Sequence, residues 1–186
     1  MPFTKTDFPG LYIFEPQVFG DERGFFFESY NEGVFRAFGV ATSFKQDNQS
    51  FSQYGVIWGL HFQLEPHAQS KLVRVLRGTV LDVVLDLREG SPKFGQTMAI
   101  ELSAENKKQV FIPQGFAHGF SVLSETAEVL YKCDNFYDKA SEGGIRFNDP
   151  ALNINWQVPV DRQIVSSKDL QLPDFRSSKS NFVFTP

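Results

Sequence analysis

Lys71-Leu72-Val73-Arg74-Val75-Leu76-Arg77-Gly78-Thr79-Val80-Leu81-Asp82-Val83-Val84-Leu85-Asp86-Leu87 decides the reading of the fold. Two short apolar runs, Lys71 to Arg77 and Thr79 to Leu87, meet at a single glycine and read as strands. Outward from them the same pattern recurs at Leu11 to Phe14, Gly24 to Tyr30, Val56 to Gln63, Gln96 to Leu102 and Ala127 to Lys132. Turn signals such as Glu89-Gly90-Ser91-Pro92 and Pro113-Gln114-Gly115 punctuate them, at the spacing of an all-β antiparallel sandwich or barrel. One short helix is expected, capped by Asn31, with Val34, Phe35 and Phe38 on one face and Gly39 ending it.

The 186 residues fit one domain, 1–186, whose core needs no disulfide or structural metal; a flexible tail is expected at 177–186, where Ser177-Ser178-Lys179-Ser180 can fray. Twenty-one phenylalanines suit strands and sheet interiors. A net charge of −4 gives no basic stripe for a nucleic acid, and a single cysteine, Cys133, forms no internal disulfide and is expected as a buried thiol. No stretch approaches the roughly 20 apolar residues of a membrane span, and the N-terminus lacks a signal-peptide pattern. The expectation is a soluble, cytoplasmic protein without nucleic-acid or membrane partners.

Of three histidines, two stand in glycine-bounded strand contexts, Gly59-Leu60-His61-Phe62-Gln63 and Pro113-Gln114-Gly115-Phe116-Ala117-His118-Gly119. Alternation puts His61 and Gln63 opposite Leu60 and Phe62; if Leu60 and Phe62 pack between sheets, His61 points into a cavity. Lys71, Val73 and Val75 share a face. The spacing of Gly55, His61, Lys71 and Gly78, with Pro113 to His118, resembles the two cupin motifs. The slots that hold metal ligands there read His61, Gln63, Lys71 and His118. A protonated lysine has no lone pair to give a metal, so no metal is expected, and Lys71 can instead stabilise a developing oxyanion. Asp82 and Asp86 point away from Leu81, Val83 and Leu85, and either can orient His118 or pair structurally. Tyr131 can face the interior as a proton donor or as a satisfied buried phenol.

Together, Phe19-Gly20-Asp21-Glu22-Arg23-Gly24-Phe25-Phe26-Phe27-Glu28, Gln46-Asp47-Asn48, Gly59 to Gln63, Lys71 to Arg74 and Ile112 to Phe120 resemble the dTDP-4-dehydrorhamnose 3,5-epimerase family, over about residues 3 to 176 and through Leu130-Tyr131-Lys132 and Ser166-Ser167-Lys168-Asp169. The resemblance implies a dimeric, cofactor-independent, cupin-like jelly roll with a few short helices, acting on a dTDP-linked 4-keto-6-deoxyhexose. It implies His61 as base oriented by Asp169, Lys71 on the enolate and Tyr131 as acid. It also assigns Arg23, Glu28, Gln46 and Asn48 to nucleotide or sugar binding, and His118 with Asp82 to a second polar pair. The residues' own reading does not pair His61 with Asp169. Trp58 stands where the family commonly has arginine, a substrate-binding position at which the loss of a charge-assisted hydrogen bond weakens binding by about 1.5 to 3 kcal/mol. That departure supports one alternative, an epimerase acting at C3 or C5 alone on a related nucleotide 4-keto-6-deoxy sugar; two others are a non-catalytic sugar-nucleotide binding module, which has no need for an acid and base pair, and a metal-dependent cupin oxygenase, opposed by Lys71 and Gln63.

Overall fold

The structure is a computed structural model and describes residues 2–185. In chain order it contains β1 (Phe3–Lys5), β2 (Tyr12–Phe14), β3 (Val18–Asp21), β4 (Gly24–Phe27), α1 (Glu32–Ala37), β5 (Gln46–Gln53), β6 (Val56–Gln63), β7 (Lys71–Arg77) and β8 (Thr79–Asp86). Next come β9 (Thr97–Ser103), β10 (Gln109–Ile112), β11 (Phe116–Val122), β12 (Thr126–Cys133), β13 (Glu142–Gly144) and β14 (Ile164–Val165). Two 3-10 turns lie at Val160–Arg162 and Asp169–Gln171. One sheet runs β1-β2-β10-β7-β12-β5 and the other β13-β6-β11-β8-β9, with β14 added in parallel to β6. β3 and β4 form a separate two-stranded sheet, and among the described residues all other pairings between these strands are antiparallel, with one isolated parallel bridge between Glu89 and Val183. This is the expected cupin-like sandwich.

Alternation on β8 divides the apolar residues into two cores. Val80 and Val84 join Val73 and Val75 of β7, Val129 of β12 and Phe116 and Phe120 of β11 between the sheets. Leu81, Val83 and Leu85 face the other way and are covered by Ile145, Phe147, Trp156 and Phe182 from the C-terminal segment. Leu60 and Phe62 belong to this outer core, not to the space between the sheets as the strand reading supposed. His61 still turns inward, because the layer hiding Leu60 and Phe62 lies outside the sandwich. Asp82 and Asp86, both fully buried, share the inward face with Val80 and Val84.

The helix is capped by Asn31, whose side chain accepts from the Gly33 and Val34 amides, and it ends before Gly39. Its buried face is the expected one at Phe35, enclosed by Phe3, Phe14 and Tyr30, and at Phe38, which packs on Phe3 and Tyr12, but not at Val34, which is exposed toward a groove under β3 and β4. The tail also differs. Asn181 exchanges hydrogen bonds with the Glu65 backbone, Phe182 packs on Phe62, and the Phe184 amide bonds to Glu89 O at 2.9 Å. The polar 177–180 run precedes an anchored aromatic segment; the last residue of the expected tail, 186, lies outside the described residues. Cys133 is buried and free, as expected.

Candidate active site

β6 and β11 run antiparallel with Phe120 opposite Trp58 and His118 opposite His61, so all four side chains share the inner face. Strict alternation would have separated Trp58 from His61. The pattern breaks at Gly59, where φ is +93° and an added Cβ would lie 2.6 Å from the His118 carbonyl oxygen. Gly119 is equally confined: its Cβ would meet Trp58 O at 2.3 Å. Only glycines let the two histidine strands approach this closely.

His61 Nε2 lies 2.7 Å from Asp169 Oδ1, and the other Asp169 oxygen accepts from the Gly59 amide at 3.2 Å. A carboxylate only accepts, so Nε2 carries the hydrogen and Nδ1 keeps its lone pair for a substrate proton. Burial alone would push the Asp169 carboxyl up; hydrogen bonds from His61, Gly59 and Ser166, with the attraction of a charged His61, outweigh it and hold Asp169 below its ordinary value. The pair can therefore stabilise an imidazolium. Behind it, His118 Nε2 lies 2.8 Å from Asp82 Oδ2. This settles the choice between the two aspartates, since Asp86 is committed to Arg88 and Ser91.

The opposite wall comes from the facing sheet. Lys71 of β7 and Tyr131 of β12 line a cavity of about 350 Å³ together with His61, Gln46, Asn48, Gln63, Gln69, Tyr137 and Glu142. Lys71 Nζ is 5.8 Å from the centre of the Tyr131 ring. Burial lowers the Lys71 ammonium, while Cys133 and the Asp82 carboxylate act in the other direction. Asp82 Oδ1 is buried without a hydrogen-bond partner, so its uncompensated charge supports the Lys71 cation. Burial pushes the Tyr131 phenol up, with Cys133 adding to it, and keeps it protonated at neutral pH.

Of the expected site residues, His61, Lys71, Tyr131, Gln46 and Asn48 line the cavity, with Asp169 bonded to His61. His118 and Asp82 form the layer behind it. Trp58 does not line it; the indole is 42% exposed, donates to Ser52 Oγ at 3.0 Å and stacks near Phe120. Arg23 and Glu28 are also apart from it: Arg23 is paired with Asp21 on the exposed β3-β4 hairpin, and Glu28 lines the groove beneath it. Gln63, a ligand slot in the motif comparison, donates to His67 O and Phe136 O and accepts from the Asp138 amide, so it anchors the 134–141 loop. Tyr137, Gln69 and Glu142 were not singled out from sequence, because they lie in loops or in a three-residue strand without periodicity.

The fold and site define a cupin-like acid–base enzyme, with a carboxylate-oriented imidazole on one sheet and a lysine and phenol on the other. The sequence agrees: residues 5–177 match the model of the dTDP-4-dehydrorhamnose 3,5-epimerase family. A Shigella flexneri dTDP-4-dehydrorhamnose 3,5-epimerase is 54% identical over 171 residues, 91% of this chain and 93% of that one. Among solved structures, the dTDP-4-dehydrorhamnose 3,5-epimerase of Elizabethkingia anophelis NUHP1 superposes with a TM-score of 0.90 at 54% identity, covering 94% of this chain and 96% of the other. The Legionella pneumophila Philadelphia 1 dTDP-6-deoxy-D-glucose-3,5-epimerase, in complex with dTDP-4-keto-L-rhamnose, gives 0.90 at 45% identity, with 94% and 93% coverage. The chain belongs to the dTDP-4-dehydrorhamnose 3,5-epimerase family.

Proposed function

We propose that the chain, working as one domain, catalyses the 3,5-epimerisation of dTDP-4-keto-6-deoxyglucose to dTDP-4-keto-rhamnose. The observation that carries this reading is the Asp169-oriented His61 facing Lys71 and Tyr131 across one cavity. The C4 ketone acidifies the hydrogens on C3 and C5. His61 Nδ1 takes one of them, the electron pair moves onto the ketone oxygen, and the Lys71 ammonium stabilises the enolate. Tyr131 then gives its proton to the same carbon as the carbonyl re-forms. Because His61 and Tyr131 come from facing sheets, they address opposite faces of a sugar ring lying between them, and the centre inverts. Exchange with water resets both groups. Acid, base and oxyanion partner suffice for this step, and Lys71 supplies the charge a metal would otherwise bring, which supports a metal-free and cofactor-free reaction.

Arg23 and Glu28 enter the reading through a second copy of the chain. The β3-β4 hairpin exposes Phe19, Phe25 and Phe26, each more than half accessible, and β5 is an open sheet edge carrying exposed Phe51. Exchange of this arm in a homodimer would cover the apolar rings and the edge and bring Arg23 and Glu28 toward the partner's cavity.

Chelator-treated protein incubated with dTDP-4-keto-6-deoxyglucose should give a product inverted at C3 and C5 by NMR. A stable product inverted at one carbon would replace this reading with a restricted epimerase, the change that loss of a cation at Trp58 would favour. Sedimentation should give a dimer; a fully active monomer would overturn the arm exchange.

A further inference from the structure

The family match ends at residue 177, yet the chain beyond it is fastened to the sheet that carries His61. The Asn181 side chain closes on both backbone groups of Glu65, Oδ1 accepting from the amide at 3.1 Å and Nδ2 donating to the carbonyl at 3.2 Å. Glu89 N donates to Phe182 O and Phe184 N to Glu89 O, each at 2.9 Å, which makes the bridge at Val183. Glu65 lies just past β6 and Glu89 just past β8; Gly115, at the start of β11 between them, has room for a Cβ only 3.5 Å from that of Phe182. Residues 181–184 thus bind one end of three neighbouring strands, those that carry His61, His118 and Asp82. Aromatic packing holds both ends. Phe182 is buried and its ring meets that of Phe62 edge-on, 6.0 Å between centres. Phe62 follows His61 on the opposite face of β6, and Gly143 of β13 touches the same ring so closely that an added Cβ would lie 2.5 Å from it. At the other end the Arg88 guanidinium, bonded to buried Asp86, lies 4.4 Å from the Phe116 ring and 5.1 Å from the Phe184 ring. This ion pair has no part in the chemistry; it anchors the tail.

We propose that residues 181–184 are a positioning strap for the base, Asn181 and Phe182 holding the end of β6 so that His61 keeps its 2.7 Å contact with Asp169. The inference rests on the reading of His61 and Asp169 as the catalytic pair. A reacting group displaced by about 1 Å can cost roughly 10²-fold in rate, so a segment that touches no ligand can still govern turnover. Gln46 and Asn48 of β5, on the facing sheet, have no contact with the strap, so substrate binding is left to elements it does not hold.

Steady-state kinetics per folded active site should show kcat lowered by about tenfold in Phe182→Ala, with KM within about twofold of wild type. Phe182→Leu, which refills the space beside Phe62, should recover most of the lost kcat. Asn181→Ala removes two hydrogen bonds from an exposed residue and should lower kcat by about threefold, which keeps the test open should Phe182→Ala fold poorly. Phe184→Ala, at the Arg88 end, should lower Tm and leave kcat in place. Independently of activity, the proton on His61 Nε2, assigned by its loss from the NMR spectrum of His61→Asn, should exchange with water faster in Phe182→Ala. Unchanged kcat in both Phe182→Ala and Asn181→Ala, with only a lowered Tm, would reduce the segment to a structural one and overturn the proposal. So would an equal loss of kcat in Phe184→Ala, which would trace the effect to general loosening of the outer core. A wild type without turnover in which Phe182→Ala still speeds the exchange would reject the catalytic pair and keep the strap. Exchange indifferent to Phe182 in such an inert protein would reject both.

Discussion

Two histidine–aspartate pairs stand side by side on β6 and β11, with nearly equal bond lengths and different surroundings. In His61–Asp169 the imidazole is 27% exposed to the cavity and only the carboxylate is hidden; in His118–Asp82 both members are buried, at 6% and 0%. Burial, against the pull of Asp82 and with the repulsion of Lys71 and His61, lowers the proton affinity of His118. The same hydrogen bond thus serves two ends. Where the ring meets the cavity, the carboxylate fixes an imidazole that is open to a ligand; where both partners are enclosed, the pair makes a buried polar floor.

Asp169→Asn should break the comparison most sharply. The amide cannot stabilise an imidazolium, and kcat should fall by about 10²- to 10⁴-fold, the range for one acid–base group. A loss below about threefold would remove Asp169 from the mechanism. Asp82→Ala should act first on stability, with a smaller loss of turnover through the Lys71 charge it supports. It strands a buried imidazole and should cost about 3 kcal/mol in denaturant unfolding, since breaking a buried pair is more damaging than replacing it. A cost under about 0.5 kcal/mol would mean that the floor is not structural. The smallest effect separates the pairs by pH. The folded pKa of His118 is depressed, so the unfolded chain binds more protons as pH falls below about 6.5, and stability declines from there by at most about 1.4 kcal/mol per pH unit for this group. Asp169 is also depressed, but its stabilisation is full above the ordinary aspartate range and is lost only below about pH 4. Stability measured at pH 7, 6 and 5 should fall in the wild type and less in His118→Asn. Equal slopes would contradict the assignment.

Much of this comparison was legible in the residues. β6 and β7 have the bounds that alternation gives, and Asp82 was one of two candidates for orienting His118, resolved by the commitment of Asp86 to Arg88. β5 was not read as a strand, because Gln46 to Gln53 is almost entirely polar and its place comes from pairing with β12. His61 was aimed correctly for a partly wrong reason: Leu60 and Phe62 are hidden by the C-terminal segment, a layer that local alternation does not reveal. Asp169 lies 108 residues from His61, so only the family resemblance joined them before the fold did. Tyr137 and Glu142 carry no periodic signal, and Trp58 crossed faces because Gly59 breaks the alternation.

The division of labour between the two pairs is tested most directly by solvent exchange in heavy water, following deuterium at C3 and C5 of dTDP-4-keto-6-deoxyglucose with wild type, His61→Asn and His118→Asn at equal folded concentration. Wild type should label both carbons, His61→Asn should label neither above background, and His118→Asn should label both at a reduced rate. Exchange that survives in His61→Asn and vanishes in His118→Asn would place the base in the buried pair and contradict the account.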